Sequence, residues 1–174
     1  MEIDLSSFVV RSHRPEDAPS LAAAANNPKV AANLRDRFPH PYLENDARDY
    51  IENPANADPE VQFAIARGAN VLGGIGFHLQ DDVSRLCAEL GFFLGEPYWR
   101  QGITTAAIRA AGPHAFDTLD IVRVYAQVFE HNPASARVLE KCGFRLEGTL
   151  RRAVIKADKI MDLHLYPKLK DEPV

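Results

Sequence analysis

"PYWRQGITTAA", residues 97–107, decides how the rest of the chain is read. Two aromatics, an arginine and a glutamine lead into one glycine, Gly102, after which small and β-branched residues open a helix-like run. Upstream, Leu86, Ala88, Leu90, Phe92 and Leu94 alternate with Cys87, Glu89, Gly91 and Phe93, the two-residue period of a strand. Downstream, Ile103, Ala107, Ile108, Ala111, Ala115, Phe116 and Leu119 recur at helical spacing. A strand passing through a tight loop into a helix leaves the first helical N–H groups unpaired at the positive end of the helix dipole, which suits an anion. One glycine is too few for a dinucleotide fingerprint, and no Lys-Ser or Lys-Thr follows it as a nucleotide phosphate loop requires. Gly102 permits close backbone approach, Thr104 and Thr105 offer hydroxyl donors, and Arg100 and Gln101 are candidates for an outer oxygen. The competing reading of the loop alone is a plain glycine turn.

A second passage from strand to helix lies at "HNPASARVLEKCGFRLEG", residues 131–148, after the β-branched and aromatic run Val122–Phe129. Asn132 suits an N-cap, Pro133 the first helical position, Gly143 the left-handed C-terminal position, and Lys141 the negative helix end. By itself this is scaffold; with the first loop, it is a second helix start at the same end of a sheet.

Working outward, Phe8–Val10 reads as a first strand, and Arg14–Asp17 leads an alanine-rich helix to about Asn27. Further helices begin near Pro28 and Glu44. Val61–Arg67 and Val71–Leu79 form a hairpin, and strands of about Phe144–Ile155 and Lys159–Pro167 close the chain around a turn at Ala157-Asp158. Gly112-Pro113 predicts a kink or break in the helix that follows the opening loop. The pattern is one mixed α/β domain, residues 1–174 with a core of about 8–168, built on some seven strands.

The chain has 174 residues, 46% hydrophobic and 25% charged, with a net charge of −4. That balance supplies no basic face for DNA or RNA, so nucleic acid is not the expected partner. The start, MEIDLSSFVVRSH, has neither a signal-peptide core nor a membrane span, so a cytoplasmic location is expected. Cys87 and Cys142 lack metal-ligand spacing and read as packed thiols, with no metal site.

Four stretches in this order, "RPEDA" with "NNPKV", "AELGFFLGEPYWRQGITTAA", "NPASARVLEKCGFRLEG" and "MDLHLY", resemble the GCN5-related N-acetyltransferases, and more narrowly the ribosomal-protein N-terminal acetyltransferases. The resemblance runs from Phe8 to Tyr166. It implies a mostly antiparallel twisted sheet with splayed middle strands and flanking helices. It also implies acetyl-CoA as co-substrate and a primary amine as acceptor, either a protein N-terminus or a small amine, with a monomer or homodimer as the assembly. The loop of Arg100, Gln101, Gly102, Ile103, Thr104 and Thr105 would receive the pyrophosphate, and the backbone of Phe92, Phe93 and Leu94 would bond the pantetheine arm. Asn132 would bond the same arm, and Ser135 would protonate the departing thiolate.

This chain departs from that family at three places. Val154 stands nineteen residues after Ser135, where an acid is usual; Ala106 replaces a glutamate; and Gly112-Pro113 interrupts the helix. Glu89, beside the expected groove, is the replacement base to test, and Asp162, His164 and Tyr166 share one face of the last strand as candidate acceptor-binding residues. The alternative from a different class is an acyl-CoA-binding sensor or interaction module without turnover.

Overall fold

Alternating burial builds the sheet. A computed structural model of the chain describes residues 1–53 and 58–172. Its elements run β1 (Glu2–Asp4), β2 (Val9–Ser12), α1 (Ala18–Ala25), α2 (Pro28–Ala31), α3 (Glu44–Glu52), β3 (Gln62–Arg67), β4 (Asn70–Leu79), β5 (Cys87–Leu94), α4 (Ile103–Thr118), β6 (Arg123–Phe129), α5 (Pro133–Lys141), β7 (Gly148–Lys156) and β8 (Lys159–Leu169). The strands form one mostly antiparallel sheet in the order β1-β2-β3-β4-β5-β6-β8-β7. The chain divides into two compact units, residues 1–76 with 92–111, and residues 77–91 with 112–174.

In the first unit, β2 pairs antiparallel with β3, which sets Val10 opposite Ile65, both fully buried. The face of α1 carrying Ala18, Leu21, Ala22 and Ala25 clusters with Tyr42, Ala47, Ala64 and Val71. Alanine is the best helix former, and its small side chain lets the helix lie close to its neighbours. A Cβ on Gly73 would stand 2.2 Å from the Phe93 carbonyl oxygen, so the backbone of β4 meets that of β5 where only glycine fits.

The turn from β2 into α1 is fastened by a buried ion pair. Arg11 donates to both Asp17 oxygens at 2.7 and 2.8 Å, and the Arg14 amide adds a third bond at 2.8 Å. Burial alone would push the Asp17 carboxyl up; the bonds from Arg11 and Arg14 outweigh it and hold the group below its usual range. Nearby, His13 stands edge-on to Tyr50 at 5.4 Å, with both ring nitrogens buried and, among the described residues, without a hydrogen-bond partner.

In the second unit, β5 and β6 are parallel, with Cys87, Ala88 and Glu89 opposite Arg123, Val124 and Tyr125. That ladder is three pairs long, whereas β6 pairs with β8 along its whole length, Arg123–Phe129. β8 pairs with β7 through a turn whose two residues, Ala157 and Asp158, both have positive φ, as a tight hairpin requires. The inward side of β6 is Val124, Ala126 and Val128, each at most 3% exposed.

The expected mostly antiparallel sheet is present, and two finer expectations need correction. Among the described residues the sheet has eight strands, for the about seven expected. The extra one, β1, is three residues long and includes two acids, too short and too polar to show an alternating pattern. The last hairpin's first strand starts at Gly148, four residues after Phe144. Of the kink or break expected at Gly112-Pro113, the break does not occur, for α4 runs continuously from Ile103 to Thr118. Proline normally drives the preceding residue out of the helical region partly by clashing with its Cβ, and Gly112 has none. What remains of the penalty is the N–H that Pro113 lacks and the crowding of its ring against the carbonyl four residues back.

The His13 ring makes stability depend on pH. Burial, only partly offset by the charge of Asp17, lowers its pKa from 6.5 to about 4. Between those values the unfolded chain binds a proton that the folded chain refuses, so stability rises with pH across this window. Below it the loss reaches about 3 kcal/mol. His13→Phe, which keeps the ring against Tyr50, should flatten this part of a urea-unfolding profile against pH; an unchanged slope would assign the effect to another group.

Candidate functional site

In the first unit, the end of β5 is held before the loop begins. The Gly95 amide donates to the Leu72 carbonyl at 2.8 Å, and the Trp99 indole donates to the Leu94 carbonyl at 2.6 Å. Between them lies a single 3₁₀ turn, Glu96–Tyr98. Glu96 accepts from the Asn27 side chain at 2.8 Å and pairs with Lys29, which ties the turn to the start of α2.

The chain then passes into α4 through two residues of positive φ, Arg100 at 62° and Gly102 at 77°. The first backbone bond into the helix runs from the Ala106 amide to the Gly102 carbonyl at 3.0 Å, so the amides of Ile103, Thr104 and Thr105 precede the ladder. A Cβ at Gly102 would meet nothing within 4 Å. Glycine is there for its backbone conformation, which a side chain would strain even though space is available for one. Ile103, 4% exposed, anchors the helix start, and Thr104 and Thr105 are half-buried.

Two of the loop and strand candidates are committed elsewhere through their side chains. Gln101 donates back to the Pro97 carbonyl at 3.0 Å, which leaves exposed Arg100 as the outward cation. The Phe93 ring packs on Phe38 at 5.4 Å, so what Phe93 can offer a ligand is its backbone. Phe92 is half-buried and Leu94 buried.

In the second unit, β6 ends at Phe129 and α5 begins under the cap predicted from the sequence. The Asn132 carbonyl oxygen accepts from the Ser135 amide at 3.1 Å, and the Asn132 amide nitrogen donates to Ser135 Oγ at 2.9 Å. One side chain thus caps the helix and orients the hydroxyl. Because Ser135 Oγ accepts from Asn132, its own proton is directed elsewhere.

Glu89, half-buried, faces Tyr125 across the parallel ladder. On β8, Asp162 accepts from the Arg152 amide at 2.8 Å and His164 Nδ1 bonds Thr149 Oγ1 at 2.9 Å. Tyr166 is 5% exposed. Burial first, then the charge and hydrogen bonding of Glu140 on α5, holds its phenol above the usual range. Of the three candidate acceptor residues, Asp162 and His164 are half-open and Tyr166 is enclosed.

Trp99, read from the sequence as packing or surface, is 38% exposed, and its indole has a positioning role that the sequence does not announce. It is the only tryptophan in the chain and fixes the last carbonyl of β5. Its place between the strand end and the glycine loop was the available signal. Among the described residues no group of three or more His, Cys, Asp or Glu is arranged to hold a metal, and no helix is long and apolar enough to cross a membrane.

A model of the acetyltransferase (GNAT) domain matches residues 7–145. The uncharacterised N-acetyltransferase YoaA of Bacillus subtilis (strain 168) is 34% identical over 58% of this chain and 56% of its own length. The ribosomal-protein-serine acetyltransferase of Escherichia coli (strain K12) is 30% identical over 63% of this chain and 60% of its own. The match thus spans less than two thirds of either relative. Among solved structures, RimL, a ribosomal L7/L12 alpha-N-protein acetyltransferase in complex with coenzyme A, superposes with a TM-score of 0.86 at 20% identity, covering 98% of this chain and 99% of that one.

The cap at Asn132 carries its own test. Asn132→Ala should cost about 1 kcal/mol in urea unfolding by leaving the first amides of α5 uncapped, whereas Asn132→Asp, which keeps the acceptor, should cost a few tenths at most. Equal losses would mean that the cap is not what the residue contributes to stability.

Proposed function

The chain belongs to the GNAT acetyltransferase family, and from that premise we propose that it moves the acetyl group of acetyl-CoA to a primary amine, the α-amine of a polypeptide. The observation that carries this reading is the Ser135 hydroxyl, oriented by Asn132 with its own proton left to give. In the proposed reaction the amine attacks the thioester carbonyl, backbone N–H near Leu94 meets the developing oxyanion, and Ser135 protonates the thiolate as the C–S bond breaks. The amides of Gly102 to Thr105 take the pyrophosphate, with Arg100 adding positive charge. Asn132 bonds the pantetheine arm, and the backbone of Phe92 to Leu94 adds to it.

The acceptor class follows from proton accounting. Val154, half-buried opposite Met161, brings no carboxylate to the position where the family usually has one. Forming a free amine at pH 7 costs about 1 kcal/mol for an α-amine of pKa near 7.8, against about 4.6 kcal/mol for a lysine near 10.4. Water can take the first proton; the second needs a strong base nearby. Glu89 is the carboxylate proposed to assist, and Asp162 and His164 are proposed to contact the acceptor.

Thiol release measured with N-terminal peptides, N-terminally blocked lysine peptides and small amines tests the reading. Turnover should be fastest with free N-termini. Preference for blocked lysine peptides would overturn the α-amine assignment, and acetyl-CoA binding with no turnover on any acceptor would leave a non-catalytic binder.

Ser135→Ala should lower kcat by about a hundredfold with acetyl-CoA affinity unchanged, the range of a lost general acid. Asn132→Asp should also slow turnover, because the hydroxyl would then donate to the new carboxylate. Gly102→Glu should weaken acetyl-CoA binding in calorimetry by at least about tenfold, since it sets a like charge and a strained backbone at the cradle. Full affinity in that variant would remove the loop from the phosphate site.

A further inference from the structure

We propose that the free end of the β7–β8 hairpin docks an acidic polypeptide, the acceptor that carries the amine; this rests on the function proposed above. The stretch "RLEGTLRRAVIKADKI", residues 145–160, holds Arg145, Arg151, Arg152, Lys156 and Lys159 in a chain whose net charge is −4. Of its two acids, Glu147 is taken by Arg123 at 2.6 and 2.9 Å. Among the described residues no carboxylate pairs with Arg151, Arg152 or Lys159, all of them exposed.

Apolar surface accompanies the charge. Ile155 and Ile160 are direct cross-strand partners, 63% and 66% exposed, on the same side of β8 as Asp162 and His164. The register shift between Leu150 and Val154 sets Arg151 and Arg152 in a bulge, with Arg152 at φ 52° and its amide bound to Asp162. Bulges of this kind re-aim side chains. β7 also closes the sheet order, so its outer edge is open to an added extended strand.

The hairpin is fastened beside the proposed catalytic serine. Glu130 and Asp162 exchange two hydrogen bonds at 3.2 Å, and His131 Nδ1 meets the Met161 sulfur at 3.2 Å. Asn132 follows directly in the chain, so an extended peptide seated on the tip is guided along the root of α5. A second copy of this chain is the poorer occupant: a two-fold contact through the same patch would set basic residues against basic residues.

The test uses the full chain with coenzyme A and two labelled peptides of identical N-terminal residues, one followed by Asp and Glu, the other by Lys. In fluorescence anisotropy at low salt the acidic peptide should bind about tenfold tighter, the reach of two exposed ion pairs together. Arg151→Glu with Lys159→Glu should remove that preference without altering acetyl-CoA affinity, and salt at about 0.5 M should erase it in the unaltered chain. Equal binding of the two peptides, or a preference that survives the double variant, would overturn the proposal. So would sedimentation in which the double variant turns a dimer into a monomer with peptide affinity unchanged. Binding is read apart from turnover: acidic-peptide binding without acetyl transfer would sink the function and keep the docking surface, and transfer without charge preference would do the reverse.

Discussion

The parallel pairing of Cys87–Glu89 with Arg123–Tyr125 is the constraint on which the proposed site depends. Antiparallel neighbours can be joined by two residues, but parallel ones need a crossover, and here α4 is that crossover. Each of the two strands therefore runs directly into the start of a helix: β5 into the loop with Gly102, β6 into the cap at Asn132. A helix start offers N–H groups that its own helix cannot satisfy, and α4 and α5 use them differently. At Asn132 a side chain satisfies them and takes Ser135 into the arrangement. At Gly102 the loop enters the helix through a positive φ, and on the proposed reading a ligand there does what a cap does elsewhere.

The strand faces and both helix starts were legible because each rests on a local rule. Alternation from Leu86 to Leu94 needs only the period of a strand, and Asn132-Pro133 needs only the chemistry of a helix start. What stayed hidden depends on pairs far apart in sequence or on residues breaking their usual rule. Tyr166 reads as an outward member of a polar face, yet it is enclosed and coupled to Glu140, a partner on another element. The bulge at Arg151 and Arg152 leaves no mark in composition, since arginine is not a residue that announces positive φ. That α4 continues through Pro113 depends on the glycine before it, which removes part of the clash by which proline ends a helix.

The buried polar groups of the first unit follow a separate logic. Arg11 and Asp17 are both nearly inaccessible, and their two parallel bonds are the geometry in which burying opposite charges is tolerable. His13 has no such partner and remains neutral instead. One pocket of the fold thus shows both ways in which a protein keeps an ionisable group away from water: pair it, or discharge it.

Proton accounting links the missing acid to the basic hairpin. Carboxylates next to an α-amine stabilise its ammonium form and raise the cost of deprotonation, so an acidic acceptor is a poor choice for a site whose usual acid is replaced by Val154. Pairing those carboxylates with Arg151, Arg152 and Lys159 cancels their field at the amine and returns its pKa towards the ordinary value, where water suffices as proton acceptor. On the proposed reading, the hairpin does more than hold the substrate. It would remove the electrostatic penalty that the substrate brings with it, and so let a chain without the usual base work on an acidic partner.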